Sequence, residues 1–252
     1  MILVVDIGNT HTDIGIFDGD KLYHSTISTQ PDRTRDEYCV FLHEIFNMHK
    51  FRKHVEGAII SSVVPQTTQD MSKAINVLFN VDVIQVEPGI KTGITIKYDS
   101  PKEVGADRIV NAVAAYSEFK TDLIVVDYGT AITFDVVSSK GEYMGGAISP
   151  GISIASEALS EKTAKLPKVP LVLPPSVIGK NTVSSIQSGL VYGYISMVEG
   201  MIKRIKKEIG SKAVVVATGG QAGFFHRCVP SIDYLRPHLT LYGLKILYEK
   251  NR

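Results

Sequence analysis

Apolar residues follow two rhythms along this chain. Short, nearly continuous runs alternate with longer stretches in which apolar positions recur every three or four residues. Ile2–Asp6, Thr12–Phe17 and Leu22–Ser28 read as strands, with Asp18-Gly19 turning a hairpin between the second and third. Asp32 to Lys50 reads as a helix whose stripe of Tyr38, Phe41, Leu42, Ile45 and Phe46 faces a core. Gly57–Val64 is a further strand. Pro65 suits the first turn of a helix over Thr67–Phe79, and Val81–Val86 closes the series as a short strand. The order is βββαβα.

Glu87 to Pro101 breaks the rhythm with Pro88, Gly89, Gly93 and Pro101, and a loop of that length is more often functional or mobile than idle. Gly105-Ala106-Asp107-Arg108 then opens an apolar-periodic helix from Ile109 to Phe119. From Leu123 the opening is repeated: strands at Leu123–Asp127, Ile132–Val137 and Tyr143–Ile148, with a turn at Lys140-Gly141. A helix is expected near Ile154–Leu159, an extended proline-bearing stretch from Lys165 to Pro175, and a long helix from Ser185 to Ile209. That helix carries small residues at Gly189, Gly193, Ser196 and Gly200, which allow another backbone to come close. Ala213–Ala217 is a strand, Thr218-Gly219-Gly220-Gln221 a turn, and Leu239–Glu249 a last helix. A short join near residues 115–121 gives domains 1–116 and 117–252. Whether the last helix packs on the first half is left open.

The two halves share a local design. Val4-Val5-Asp6-Ile7-Gly8 and Val125-Val126-Asp127-Tyr128-Gly129 each end an apolar run on an acid and a glycine, and each has a threonine four residues after the glycine, Thr12 and Thr133. Burying an unpaired carboxylate is costly, so Asp6 and Asp127 belong where their strands leave the sheet. Glycine there permits a tight turn and close approach of a phosphate. Asn9, Thr10, Thr12, Thr130 and Thr133 supply donors, and the carboxylates can hold a hydrated Mg²⁺. One Asp-x-Gly alone also suits an ordinary turn; the duplication favours a phosphate clamp. No P-loop, Gly-x-Gly-x-x-Gly, His-Glu-x-x-His or Cys-x-x-Cys pattern is present.

These segments carry a resemblance. Asp6-Ile7-Gly8-Asn9-Thr10, Gly105-Ala106-Asp107-Arg108, Asp127-Tyr128-Gly129-Thr130-Ala131 and Thr218-Gly219-Gly220-Gln221 occur in the order found in type III pantothenate kinases. Ser149-Pro150-Gly151 and Thr163 to Pro167 match as well. The first motif marks only the wider actin, hexokinase and sugar-kinase-like ATPase superfamily; Gly-Ala-Asp-Arg is far more specific. The resemblance implies an α/β fold of two duplicated ribonuclease-H-like domains with a nucleotide cleft between them. It implies ATP-dependent phosphorylation of pantothenate to 4′-phosphopantothenate, the first step toward coenzyme A.

Carried over residue by residue, the resemblance places Asp6, Ile7, Gly8, Asn9, Thr10, His11, Thr12, Asp13 and Thr130 at ATP, and Thr218-Gly219-Gly220 near adenosine. It makes Asp107 the general base. Tyr98, Gly105, Ala106, Asp107, Arg108 and Thr182 would contact pantothenate, Arg108 through its carboxylate. Asp127 would ligate a monovalent cation, K⁺ or NH₄⁺, beside Mg²⁺. A homodimer would complete the pantothenate pocket. One departure stands out: Ile132 replaces a threonine common in the family. Asp107 also suits a first-turn acid serving the helix dipole.

Composition narrows the alternatives. Twenty-seven basic and 26 acidic residues among 252 leave a formal charge of +1, which calls for neither nucleic acid nor an anionic membrane. No apolar run approaches the ~20 residues that span a bilayer, and the opening residues read as a strand and not a leader. Cys39 and Cys228, the only cysteines, suit a reducing, cytoplasmic setting. Three other functions stay open: a kinase for another small hydroxy or acid substrate, a polyphosphate-handling relative, and a transcription accessory factor.

Overall fold

The computed structural model describes residues 1–51 and 54–252. They group into two compact units, one of residues 1–118, 141–143 and 238–252, the other of residues 119–140 and 144–237.

In the first unit β1 (Ile2–Ile7), β2 (His11–Asp18), β3 (Lys21–Ser28), β4 (Gly57–Ser62) and β5 (Val83–Gln85) form a sheet in the order β3-β2-β1-β4-β5. β1 runs antiparallel to β2 and parallel to β4. Leu3, Val5 and Ile7 of β1 pack with Tyr38 and Leu42 of α1 (Arg35–Met48) and with Met71 and Ile75 of α2 (Pro65–Phe79). The opposite face lies under α7 (Leu239–Asn251), which rests on β1, β2 and β4. A strand buried on both faces reads as a continuous apolar run, and β1 does. α7 needs bare backbone beneath it: a side chain at Gly57 would collide with Tyr248, and one at Gly243 with the Val110 carbonyl of α3 (Ala106–Phe119).

The helix ends follow from their caps. Thr34 and Glu37 make a reciprocal capping box at α1, the Thr34 N–H donating to Glu37 Oε2 at 2.7 Å. α2 starts on Pro65 and stops at Asn80, whose φ of 53° is left-handed. One part of the expected stripe on α1 differs. Phe41 is 36% exposed and sits under the Arg33 guanidinium at 4.5 Å, at the edge of the core and not within it.

The second sheet has six strands in the order β11-β10-β7-β8-β9-β6, made by β6 (Thr95–Ile96), β7 (Leu123–Tyr128), β8 (Ala131–Val137), β9 (Glu142–Pro150), β10 (Val214–Thr218) and β11 (Tyr234–Leu235). β6 and the first two residues of β9 group with the first unit, the rest with the second. Apart from β6, its strands repeat the order of the first sheet. Ile124, Val126, Ile132 and Phe134 pack with Ile186, Leu190, Val198 and Ile202 of α5 (Thr182–Glu208), Ile152 of α4 (Ile152–Glu161) and Phe225 of α6 (Ala222–His226).

Pattern reading did not show four short elements: β6 (Thr95–Ile96), a 3-10 turn at Pro101–Glu103, α6 and β11. Each is too short for periodicity to register. α4 begins two residues before the expected Ile154. Among the described residues no helix is long and apolar enough to cross a membrane.

Candidate active site

In the first unit, Asp6 lies at the end of β1 between Asp13 on β2 and Ser61 on β4, directly across the ladder from each. The turn between the strands is closed by the Gly8 N–H donating to the His11 carbonyl at 2.9 Å. Asn9, Thr10 and His11 are exposed at its tip, whereas Ile7 and Thr12 are buried. The Thr12 hydroxyl shares a 2.9 Å hydrogen bond with Thr29. Ile7 and Thr12 therefore present main chain to any ligand at this turn, not side chains. Asp13 accepts from Thr26 Oγ1 at 2.6 Å and lies 2.9 Å from His24 Nε2. Burial alone would raise its pKa. The two hydrogen bonds and the charges of His24 and His11 outweigh burial and lower it, so Asp13 stays ionised.

Ala106-Asp107-Arg108 opens the first turn of α3, as the sequence suggests, and the Gly105 carbonyl just before it accepts the Ile109 N–H. The Asp107 carboxylate folds back: Oδ1 accepts the Arg108 backbone N–H at 2.8 Å. Burial pushes the Asp107 carboxyl up from its ordinary value, against the opposing effects of that hydrogen bond and the Arg108 charge. Arg108 is buried, its guanidinium carbon 5.9 Å from the centre of the Tyr143 ring. Tyr98 follows β6, 37% exposed, its ring centre 6.3 Å from that of Tyr143. The first unit thus brings Tyr98 and Arg108 together around one buried ring. Sequence reasoning missed Tyr143. Its only signal was a place at the start of an expected strand.

In the second unit, three segments converge on the end of β7. The Gly151 N–H donates to the Thr130 carbonyl at 3.0 Å, and the Gln221 N–H to the Tyr128 carbonyl at 3.4 Å. A side chain at Gly219, whose φ is +93°, would collide with Asp127 Oδ1 and the Tyr128 backbone. Gln221 Nε2 donates to Ser153 Oγ at 2.9 Å, tying the start of α6 to α4. Asp127 lies across the ladder from Thr133 on one side and Thr218 on the other. Carboxylate and hydroxyl oxygens on one face form a donor set suited to a hard cation. Among the described residues no three of His, Cys, Asp and Glu are grouped to hold a metal alone. A divalent ion would therefore take most of its ligands from phosphate and water. Thr130 is exposed in the β7–β8 turn, and Thr182 is the exposed first residue of α5, after the cap Asn181.

The register also corrects the apparent repeat. Thr12 pairs with Ile7, but Thr133 pairs with Asp127, because the first turn is one residue longer. A one-residue slip turns a side chain to the other face. The counterpart of Thr12 is Ile132, and both are buried. The hydroxyl that Ile132 lacks would point into the core, away from any phosphate at the turn.

The class follows from the duplicated architecture: two sheets that share a five-strand order, each with an acid near the end of its first strand, define an actin-like, sugar-kinase-like ATPase fold. Two solved structures share it along the whole chain. A protein described as a Baf-family transcriptional activator from Campylobacter jejuni has a TM-score of 0.61 at 21% identity, covering 99% of this chain and 98% of that one. One described as a 2-dehydro-3-deoxygalactonokinase from Sinorhizobium meliloti has a TM-score of 0.56 at 10% identity, covering 99% and 98%. The model of the type III pantothenate kinase family matches residues 2–204. A type III pantothenate kinase from Moorella thermoacetica is 48% identical over 253 residues, covering 100% of both chains. The chain belongs to the type III pantothenate kinase family. It is a kinase of coenzyme A synthesis that phosphorylates pantothenate at the expense of ATP, with a divalent metal ion.

Proposed function

We propose that Asp107 is the general base of this reaction, taking the proton from the primary hydroxyl of pantothenate as the γ-phosphoryl group arrives. The observation that carries the reading is the place of Asp107 in the first turn of α3 beside buried Arg108, its carboxylate folded back onto the Arg108 N–H, where burial pushes it up from its ordinary value. A more basic carboxylate is a better proton acceptor, and positioned bases typically contribute ~10²–10⁴-fold. Phosphoryl transfer otherwise depends on position and on neutralised charge. Arg108 pairs with the pantothenate carboxylate, for which a guanidinium fork is well shaped. Tyr98, Gly105, Ala106 and Thr182 complete the contacts to the acceptor.

Asp6 to Asp13 and Thr130 bind ATP, with Ile7 and Thr12 contributing backbone. Asp127 holds a potassium or ammonium ion that screens the triphosphate when bound. The threonines across the ladder from Asp127, Thr133 and Thr218, support that role. The enzyme is a homodimer whose partner completes the pantothenate pocket near Thr182. Val177 and Ile178, just before α5, are 63% and 78% exposed, which supports a covering partner there. Two free cysteines and near-neutral charge support a cytoplasmic enzyme.

The test is pantothenate-dependent ADP release by the purified protein. Release that needs pantothenate, and is lost in Asp107→Asn while the fold is retained, supports the reading. Release without pantothenate, or none with it, removes it.

A further inference from the structure

Gly141 to Tyr143 fall in the second half of the sequence, yet they group with the first unit. What they touch there gives the reason. The Tyr143 carbonyl accepts the Lys97 N–H at 2.8 Å, and Ile96 pairs with Tyr143 in parallel register, so this residue sets the strand that delivers Tyr98. Lys97 Nζ and Glu142 Oε1, 3.8 Å apart, add a contact on the same ladder. Gly141, at φ +75°, lies close against the Tyr116 ring of α3, where an added Cβ would come within 2.8 Å. The Tyr143 ring is wholly buried, with the Arg108 guanidinium over it and the Tyr98 ring beside it.

We infer that Tyr143 is a positioning residue for the acceptor substrate: its ring fixes the plane of the Arg108 guanidinium, while its backbone, which no substitution removes, pairs with the strand leading to Tyr98. The inference rests on the assignment of Arg108 and Tyr98 to pantothenate. A guanidinium binds a carboxylate with two parallel hydrogen bonds only when its plane is set, and the arginine stem is flexible. An aromatic face attracts the cation through its quadrupole, most strongly where water is excluded. Tyr143 itself is too deeply buried to meet the substrate, so it acts through Arg108. Phenylalanine keeps that face. Leucine fills much of the volume and has none.

The experiment uses the full-length enzyme and measures kcat and KM for each substrate, with thermal unfolding alongside. Tyr143→Leu is expected to raise KM for pantothenate about tenfold, ~1.4 kcal/mol. Its kcat and its KM for ATP stay within about twofold. Tyr143→Phe keeps the pantothenate KM within about twofold of the parent whatever its melting temperature. Where Tyr143→Leu does not fold, Tyr143→Met, an adaptable space-filler, takes its place. An unchanged pantothenate KM in the Leu or Met variant overturns the inference. So does an equal rise in both KM values, or a Phe variant as impaired as the Leu variant.

Arg108→Lys separates this inference from the reading beneath it, since lysine keeps the charge without the planar fork. If Arg108→Lys leaves the pantothenate KM unchanged, the assignment of Arg108 to the substrate falls. If Arg108→Lys raises that KM and Tyr143→Leu does not, only the role of Tyr143 falls. The double variant should bind pantothenate no worse than Arg108→Lys alone, because the ring works through the fork. Additive losses contradict that.

Discussion

Asp107 Oδ1 lies 2.5 Å from the place a Cβ on Gly105 would take. The folded-back carboxylate and the bare backbone two residues earlier therefore depend on each other. The expected outcome of Gly105→Ala is an Asp107 carboxylate pushed out of position while the α3 helix persists. A misplacement of about 1 Å can cost ~10²-fold, and a loss of that order in kcat is predicted, with circular dichroism unchanged. Parent-like kcat would show that the Asp107 conformation is not the working one.

The pH dependence has a definite sign. Burial raises the Asp107 pKa, and a base works only when ionised. The acid limb of kcat/KM for pantothenate should therefore lie above that expected of an ordinary aspartate. Folding stability responds in the opposite direction. A carboxyl whose folded pKa is raised contributes stability below its unfolded value, and that contribution is lost as pH rises through the folded value. Ionised Asp107 is thus a cost near neutrality. Asp107→Asn should melt above the parent at pH 7, and the advantage should vanish below the ordinary Asp range. Melting curves at several pH values check this.

Gly219 tests the surroundings of Asp127. Its left-handed φ and the collision a side chain would make with Asp127 predict that Gly219→Ala destabilises by ~1–3 kcal/mol, read by urea unfolding. Displacing Asp127 should also flatten the response to salt. Parent turnover is expected to rise when potassium replaces sodium, and the gain should be lost in Gly219→Ala and Asp127→Asn. Equal rates in both salts for the parent would remove the cation role.

The α5 glycines test the dimer. Gly189, Gly193 and Gly200 have open space where a Cβ would go. In an isolated helix, replacing such a glycine gains up to ~1 kcal/mol. If a second copy packs there, a larger side chain should separate the copies. Gly193→Gln is predicted to elute as a monomer on gel filtration, with a raised pantothenate KM. A Gly193→Gln dimer with parent KM would place the partner elsewhere.

Much of this molecule was legible in its sequence because its halves repeat. Val4-Val5-Asp6 and Val125-Val126-Asp127 are buried runs with an acid at the exit, and both lie at the centre of their sheets. What was not legible has physical reasons. One extra residue in the first turn moves Thr12 to the face opposite that of Thr133, and no spacing rule shows on which strand the ladder slips. Ser61 and Thr218 flank Asp6 and Asp127 only because β4 and β10 lie beside β1 and β7, a long-range pairing. Tyr143 looked like an ordinary strand residue. Its place under Arg108 depends on three residues crossing to the other unit.

The most direct measurement is turnover of Asp107→Asn at saturating ATP and pantothenate, with nucleotide binding and melting followed in the same preparation. The predicted result is a kcat lower by ~10²–10⁴-fold, with ATP bound as in the parent and the fold intact. A kcat equal to the parent's would contradict the assignment of the base.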